Sequence, residues 1–351
     1  MNEPAVLPRC TARRSSRTLK AVIAIVMVSL FVGGCLPGSR LAGAPAGPAH
    51  VSVPVKMTRI PGTTGVRVLV DVSVGGGRVV PVMLDTGSTG LHMLPDAIGP
   101  SAQPLGIRRN LAYLGGFLTS EETRAVVAIG GSPSGVTPTP IIVGSITSAT
   151  KTIYNMFEQV GAKGIMGIAP TPQRFFISPL VQLSSRLSQG YTLQLADHDG
   201  VPPRLILGRP DKSSASTSIP LTRTAATYPN GRHGYQREVN LCATVGTATQ
   251  CGMTTLDTGA TLAIATNELL PNHATLVVPS GTYVSITAPT GAQLQAYTTA
   301  RSPLSCELIY RYLPTPTKLN TGVGFFYANT VGWDLTAGQL VITPLAPRSC
   351  G

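Results

Sequence analysis

Apolar and polar residues alternate along Val66–Val74 (VRVLVDVSV), the period of a half-buried strand. Three glycines at 75–77 then turn the chain into a second apolar run at 78–85 (RVVPVMLD), so the two stretches predict an antiparallel pair. Apolar runs of similar length recur at 125–131, 140–146 and 203–208. A polar stretch without apolar period covers 209–218, after which strand-like runs restart at 238–245 and 254–257. Residues 333–345 close the chain as strand, turn and strand. Helical spacing is rare. Its best instance is 178–190, with Ser and Pro at the start, Leu180, Leu183 and Leu187 in step, and Gly190 as a stop. The pattern predicts an all-β or β-dominated protein of two lobes, 51–212 and 213–351.

Composition agrees with that reading. The chain has 351 residues, 43% hydrophobic and only 12% charged, with 38 Gly and 30 Pro. That is enough chain for two lobes with real cores, joined by many turns.

The first 34 residues have a different character. Arg9, Arg13, Arg14, Arg17 and Lys20 precede an apolar run at 21–34, too short to span a bilayer comfortably. The run ends in Gly33-Gly34-Cys35, a triplet that resembles the lipobox of bacterial lipoproteins, where the signal is cut before the Cys and that Cys receives lipid. The alternative is an ordinary secretory signal. Either way residues 1–34 read as a signal, 35–50 as a flexible Pro/Gly/Ala tether, and the mature chain as exported, on the outer side of the cell membrane or in the envelope. Removal of the signal lowers the net charge from +12 to +8 (22 basic and 14 acidic residues). The remaining cations are scattered, which gives no nucleic-acid signature. Four cysteines are left besides Cys35, and in an exported chain an even count predicts two disulfides. Three pairings are possible. Cys242–Cys251 with Cys306–Cys350 is favoured, because the first pair closes a short hairpin.

One phrase occurs twice. VMLDTGSTGLHM starts at Val82 and TTLDTGATLAIA at Thr254, with Asp85-Thr86-Gly87 matched by Asp257-Thr258-Gly259. An Asp at the end of an apolar strand, followed by Thr-Gly, sets a carboxylate on a tight turn that another backbone can approach closely. Two such turns facing each other would hold two carboxylates around one water, sharing a single proton because like charges that close cannot both ionise. Other chemistries lack their signatures: the five His form no metal-spaced pair, and there is no G-x-S-x-G elbow, Walker loop or Cys-x-x-Cys.

On these motifs and their order the chain resembles the pepsin-type, bilobal aspartic proteases over residues 51–345. KGIMGIAP at 163–170 looks like the segment that supports the first Asp loop, and GVGFFYANTVGWD at 322–334 like its counterpart in the second lobe, with Gly322 as the supporting glycine. The resemblance implies a catalytic dyad of Asp85 and Asp257, with Thr86, Gly87, Ser88, Thr258 and Gly259 around it. It also implies an extended peptide or protein segment as substrate, no metal or organic cofactor, a monomer, and membrane attachment through the N-terminal lipid alone. Tyr113, beside Gly115-Gly116, falls at the family's flap tyrosine. Three departures stand out. His92 replaces the usual Trp after the first motif, either filling space or hydrogen-bonding Tyr113 at the flap and substrate. LNTG at 319–322 is polar where the family is apolar. Ala260 follows Asp257 where a hydroxyl would stand, as Ser88 does after Asp85, predicting one donor fewer at the second carboxylate. A rival expectation is a silent pepsin-fold lipoprotein that binds peptides or envelope partners without cutting them.

Overall fold

In the computed structural model the described residues are 48–131, 133–184, 186–195, 200–266, 277–301, 306–310, 313 and 316–345. The signal, Cys35 and almost all of the tether lie outside them, as does Cys350. Strand Val51–Arg59 is the first element. It pairs with Val66–Val74 at one end and Arg204–Leu207 at the other, and so links two halves of a fourteen-stranded sheet. From Arg204–Leu207 the sheet continues through Gly190–Gln194 to Asn329–Asp334, Gln339–Pro344 and Thr217–Pro220, so strands from both ends of the chain share it. Trp333 stacks on Tyr191 at that seam, ring centroids 4.9 Å apart. A separate seven-stranded sheet in the second half is built on the hairpin Val239–Val245/Ala248–Thr255. Cys242 and Cys251 face each other across this hairpin and form a disulfide. Cys306 is also disulfide-bonded.

The alternation read at Val66–Val74 is real, but the strand is buried on both faces. Val68 and Val70 enter the main core, while Leu69 packs with Met83, Ile153 and Phe157 beneath a helix. That helix, Lys151–Val160, corrects the sequence reading. Its Ile153, Phe157 and Val160 lie on one buried stripe at i, i+4 and i+7. It stops at Gly161, whose φ of 67° suits a glycine and whose N–H caps the Phe157 and Glu158 carbonyls. The expected helix at 178–190 is instead two short 3-10 turns, Pro179–Gln182 and Leu187–Gln189. Leu180, Val181, Leu183 and Leu187 are all buried, while Ser184 and Arg186 are exposed. Among the described residues no helix is long and apolar enough to cross a membrane.

Candidate active site

Each Asp motif sits in the same local knot. Strand Val80–Asp85 leaves through the turn at 86–88 and returns as Thr89–Met93. Gly164–Ile168 runs between them, parallel to the first and antiparallel to the second, with Gly167 opposite Asp85. In the second half Ala248–Thr255 and Ala263–Ala265 flank Leu319–Asn320 with the same two senses. Glycine is required where the supporting strand crosses the turn. A Cβ on Gly167 would lie 2.4 Å from the Thr89 backbone N, and one on Gly322, which has φ +61°, would lie 2.5 Å from the Leu262 carbonyl group. The polar LNTG stretch therefore builds the second support as KGIMG builds the first.

The two knots are latched by their threonines. The Thr86 hydroxyl donates to the Leu256 carbonyl (2.7 Å) and accepts from the Thr258 N–H (2.9 Å). Reciprocally, the Thr258 hydroxyl donates to Leu84 O (2.7 Å) and accepts from the Thr86 N–H (3.1 Å). All four bonds are buried, where an unmet partner would be costly, so the latch fixes the spacing of the two turns. The motif glycines explain themselves by proximity. A Cβ on Gly87 would lie 2.6 Å from the Asp257 carboxylate, and one on Gly259 2.6 Å from Asp85 Oδ1.

Asp85 and Asp257 are thereby brought together, 5% and 8% exposed, with their carboxylates within hydrogen-bonding reach of each other. Asp85 Oδ1 accepts from the Gly87 N–H (2.7 Å) and Oδ2 from the Ser88 hydroxyl (2.5 Å). Burial, and then the neighbouring Asp257 charge, raise the Asp85 carboxyl to about 7, against the pull of its two donors. Asp257 Oδ1 accepts from the Gly259 N–H (2.7 Å). The donor expected to be missing at Ala260 is present from elsewhere: the Asn320 side-chain amide donates to Asp257 Oδ2 at 2.6 Å. Asn320 Oδ1 in turn accepts from the Gly322 N–H (2.9 Å), which orients the amide. Both carboxylates thus have one backbone and one side-chain donor. Sequence reasoning missed Asn320, although the polar departure at 319–322 was its signal.

The hairpin Gln103–Tyr113/Gly116–Ala125 arches beside the dyad, with Tyr113 paired to Gly116 across a two-residue tip. Tyr113 shares a cavity of about 510 Å³ with both aspartates, Ser88 and Asn320. Burial raises its phenol well above the ordinary value, the Asp85 charge adds to this, and a hydrogen bond with Ser88 opposes it. His92 is not part of that cavity. It is fully buried, bonded through Nδ1 to the Ser120 hydroxyl (3.0 Å) and set edge-on to Phe176. The expectation that it meets Tyr113 or substrate is therefore corrected: it fills the space behind the first knot, and burial lowers its pKa to about 4, which keeps it neutral. No group of three or more His, Cys, Asp or Glu able to hold a metal occurs among the described residues.

Two arginines cross between the lobes at the motif glycines. Arg67, from the first half, donates through Nη1 to the Gly259 carbonyl. Arg237, from the second, donates through Nη1 to the Gly87 carbonyl at 2.8 Å.

Comparison with known proteins agrees with this geometry. The family profile described as PE-PGRS C-terminal aspartyl peptidase-like domain matches residues 51–333. Among solved structures, the aspartic proteinase from Irpex lacteus superposes with a TM-score of 0.58 at 15% identity, over 85% of this chain and 98% of that one. This places the architecture in the bilobal pepsin-like fold. No curated protein sequence gives a significant match.

Proposed function

Given that the chain belongs to the PE-PGRS C-terminal aspartyl peptidase-like domain family, we propose that it is an aspartic endopeptidase whose dyad is Asp85 and Asp257. The observation that carries the reading is the pair of latched carboxylates in one cleft, each held by two donors; so close together they would share one proton, in line with a raised Asp85. The ionised member takes a proton from a water whose oxygen attacks the peptide carbonyl. The protonated member gives its proton to the carbonyl oxygen. Collapse of the tetrahedral diol breaks the C–N bond as the carboxyl that took the water's proton gives it to the leaving amine and a diol hydroxyl returns its proton to the other carboxylate, restoring the starting pair.

In this reading Thr86 and Thr258 act only through the dyad, holding its separation. Ser88 and Asn320 orient the carboxylates, and Gly87 and Gly259 leave room for them. Tyr113 covers the cleft from the hairpin tip. Substrate is an extended peptide or protein segment, held largely by main-chain bonds in the cleft. The apolar run ending at Cys35 supports export and lipid anchoring, so the substrates would be proteins of the cell envelope.

The test is incubation of the mature chain, with Cys35→Ser, with a diverse peptide library, with and without a pepstatin-like inhibitor, cuts being mapped by mass spectrometry. Inhibitor-sensitive internal cuts are expected. Intact peptides across pH 3–8 would instead favour a silent peptide-binding protein.

A further inference from the structure

Arg67 and Arg237 play matching roles but differ in charge balance. Arg237 carries its own counter-ion: Nε and Nη2 both bond Glu238 Oε1, at 3.0 and 2.5 Å. Glu238 is also an acceptor for the buried Thr317 hydroxyl (3.3 Å). Arg67 has no such partner. Besides Gly259 O, its guanidinium meets, among the described residues, the soft Met156 sulfur alone, 3.3 Å from Nη2. Its Nε is inaccessible to solvent and bonds to nothing. Among the described residues no carboxylate forms an ion pair with it; the nearest negative charges are those of Asp257 and Asp85, which already accept two donors each. A guanidinium stays charged, and the part-buried Arg67, in place of a carboxylate of its own, has only the charge of the nearby aspartate pair. It lines the same cavity as the two aspartates.

We propose that Arg67 is a specificity-determining residue that binds a carboxylate of the peptide in the cleft, supplying from the ligand the counter-ion that Glu238 supplies to Arg237. The carboxylate comes from an acidic side chain near the scissile bond or from the peptide's free C-terminus, since a guanidinium fork accepts either. Selection for it rests on the peptidase reading for its catalytic meaning, but not for its binding.

The experiment separates the two. Random octapeptides, in one pool with free and in another with amidated C-termini, are selected on immobilised Asp85→Asn protein, and the bound peptides are sequenced by mass spectrometry. Asp and Glu are expected to be enriched roughly tenfold or more at one position, and to lose that enrichment with Arg67→Met added. If the free pool alone is retained, the C-terminal carboxylate is the ligand. Unbiased binding in both pools, or a bias that survives Arg67→Met, overturns the proposal. In parallel, chains with Asp85 intact are assayed on paired Glu and Gln peptides. The wild type should favour Glu in kcat/KM by a similar factor, mainly through KM, and Arg67→Met should bring the ratio near one. Selective binding without any cleavage would sink the peptidase reading and leave the carboxylate site standing.

Discussion

The two Asp knots have the same strands, the same glycine crossing and the same threonine latch, yet they obtain the outer donor in different ways. At Asp85 it is Ser88, three residues on in the same turn. At Asp257 it is Asn320, 63 residues away on the supporting strand. A local hydroxyl and a remote amide deliver the same bond, at 2.5 and 2.6 Å. What the site repeats between its halves is the pair of donors on each carboxylate rather than the residue that supplies the outer one. The cost of the second solution is dependence on tertiary structure, because Asn320 reaches Asp257 only while its strand pairs with Thr254 and Thr255.

The comparison can be broken most severely at the supporting glycines. Gly322→Ala adds a Cβ 2.5 Å from backbone and a strained positive φ, while Gly167→Ala meets the clash alone. Both should destabilise by about 3 kcal/mol or more, Gly322→Ala the more, and Gly322→Ala should also cost the Asn320 bond. Thermal melts give the first ranking. Activity lost ahead of stability in Gly322→Ala checks the second.

A more direct comparison removes the donors. Ser88→Ala and Asn320→Leu should each lower kcat by about 10- to 100-fold, the worth of a charge-assisted hydrogen bond. Near-equal losses would sharpen the equivalence. A harmless Asn320→Leu would break it.

The proton on the pair provides a third test. With Asp85 raised in the folded chain to about 7, the native state binds a proton that the unfolded chain has released, so stability should fall as pH rises from about 4 to 7. Asp85→Asn should flatten that slope and gain about 1–3 kcal/mol at pH 7. The same proton sets activity, which should decline as pH passes upward through about 7. Urea melts and a kcat/KM profile against pH check the two statements.

The smallest effect is expected at Ala260. Since Asn320 already fills the outer position, Ala260→Thr should change kcat by less than about threefold and barely move the pH profile. From the sequence alone the same substitution would be expected to restore a missing donor and shift the profile toward acid.

That reversal shows what was and was not legible. The duplicated Asp-Thr-Gly phrase, the alternation at Val66–Val74 and the glycines beside the hairpin tip are local signals, and they led to the two-lobed β fold, the facing pair of aspartates and the hairpin. The polar departure at 319–322 marked Asn320, but its partner could not be read there, because Asp257 lies 63 residues away and is reached through a parallel strand pairing. His92 stood between two readings, and the space-filling one holds; nothing in its neighbours indicates Ser120 or Phe176 as its packing partners. The helix Lys151–Val160 had its signal in Ile153, Phe157 and Val160, but Tyr154 and Met156 beside them blur the helical period. The stretch at 178–190 misled in the opposite sense: its leucines keep helical spacing and are buried, yet the backbone makes only two short 3-10 turns.

All of this depends on the two carboxylates acting as one unit. The direct measurement is cleavage of a mapped substrate peptide by Asp85→Asn and by Asp257→Asn, each checked for native folding. The account predicts that each substitution alone lowers kcat by at least about 1000-fold, because neither remaining carboxylate can make both proton transfers. Near-wild-type turnover by either variant would contradict it.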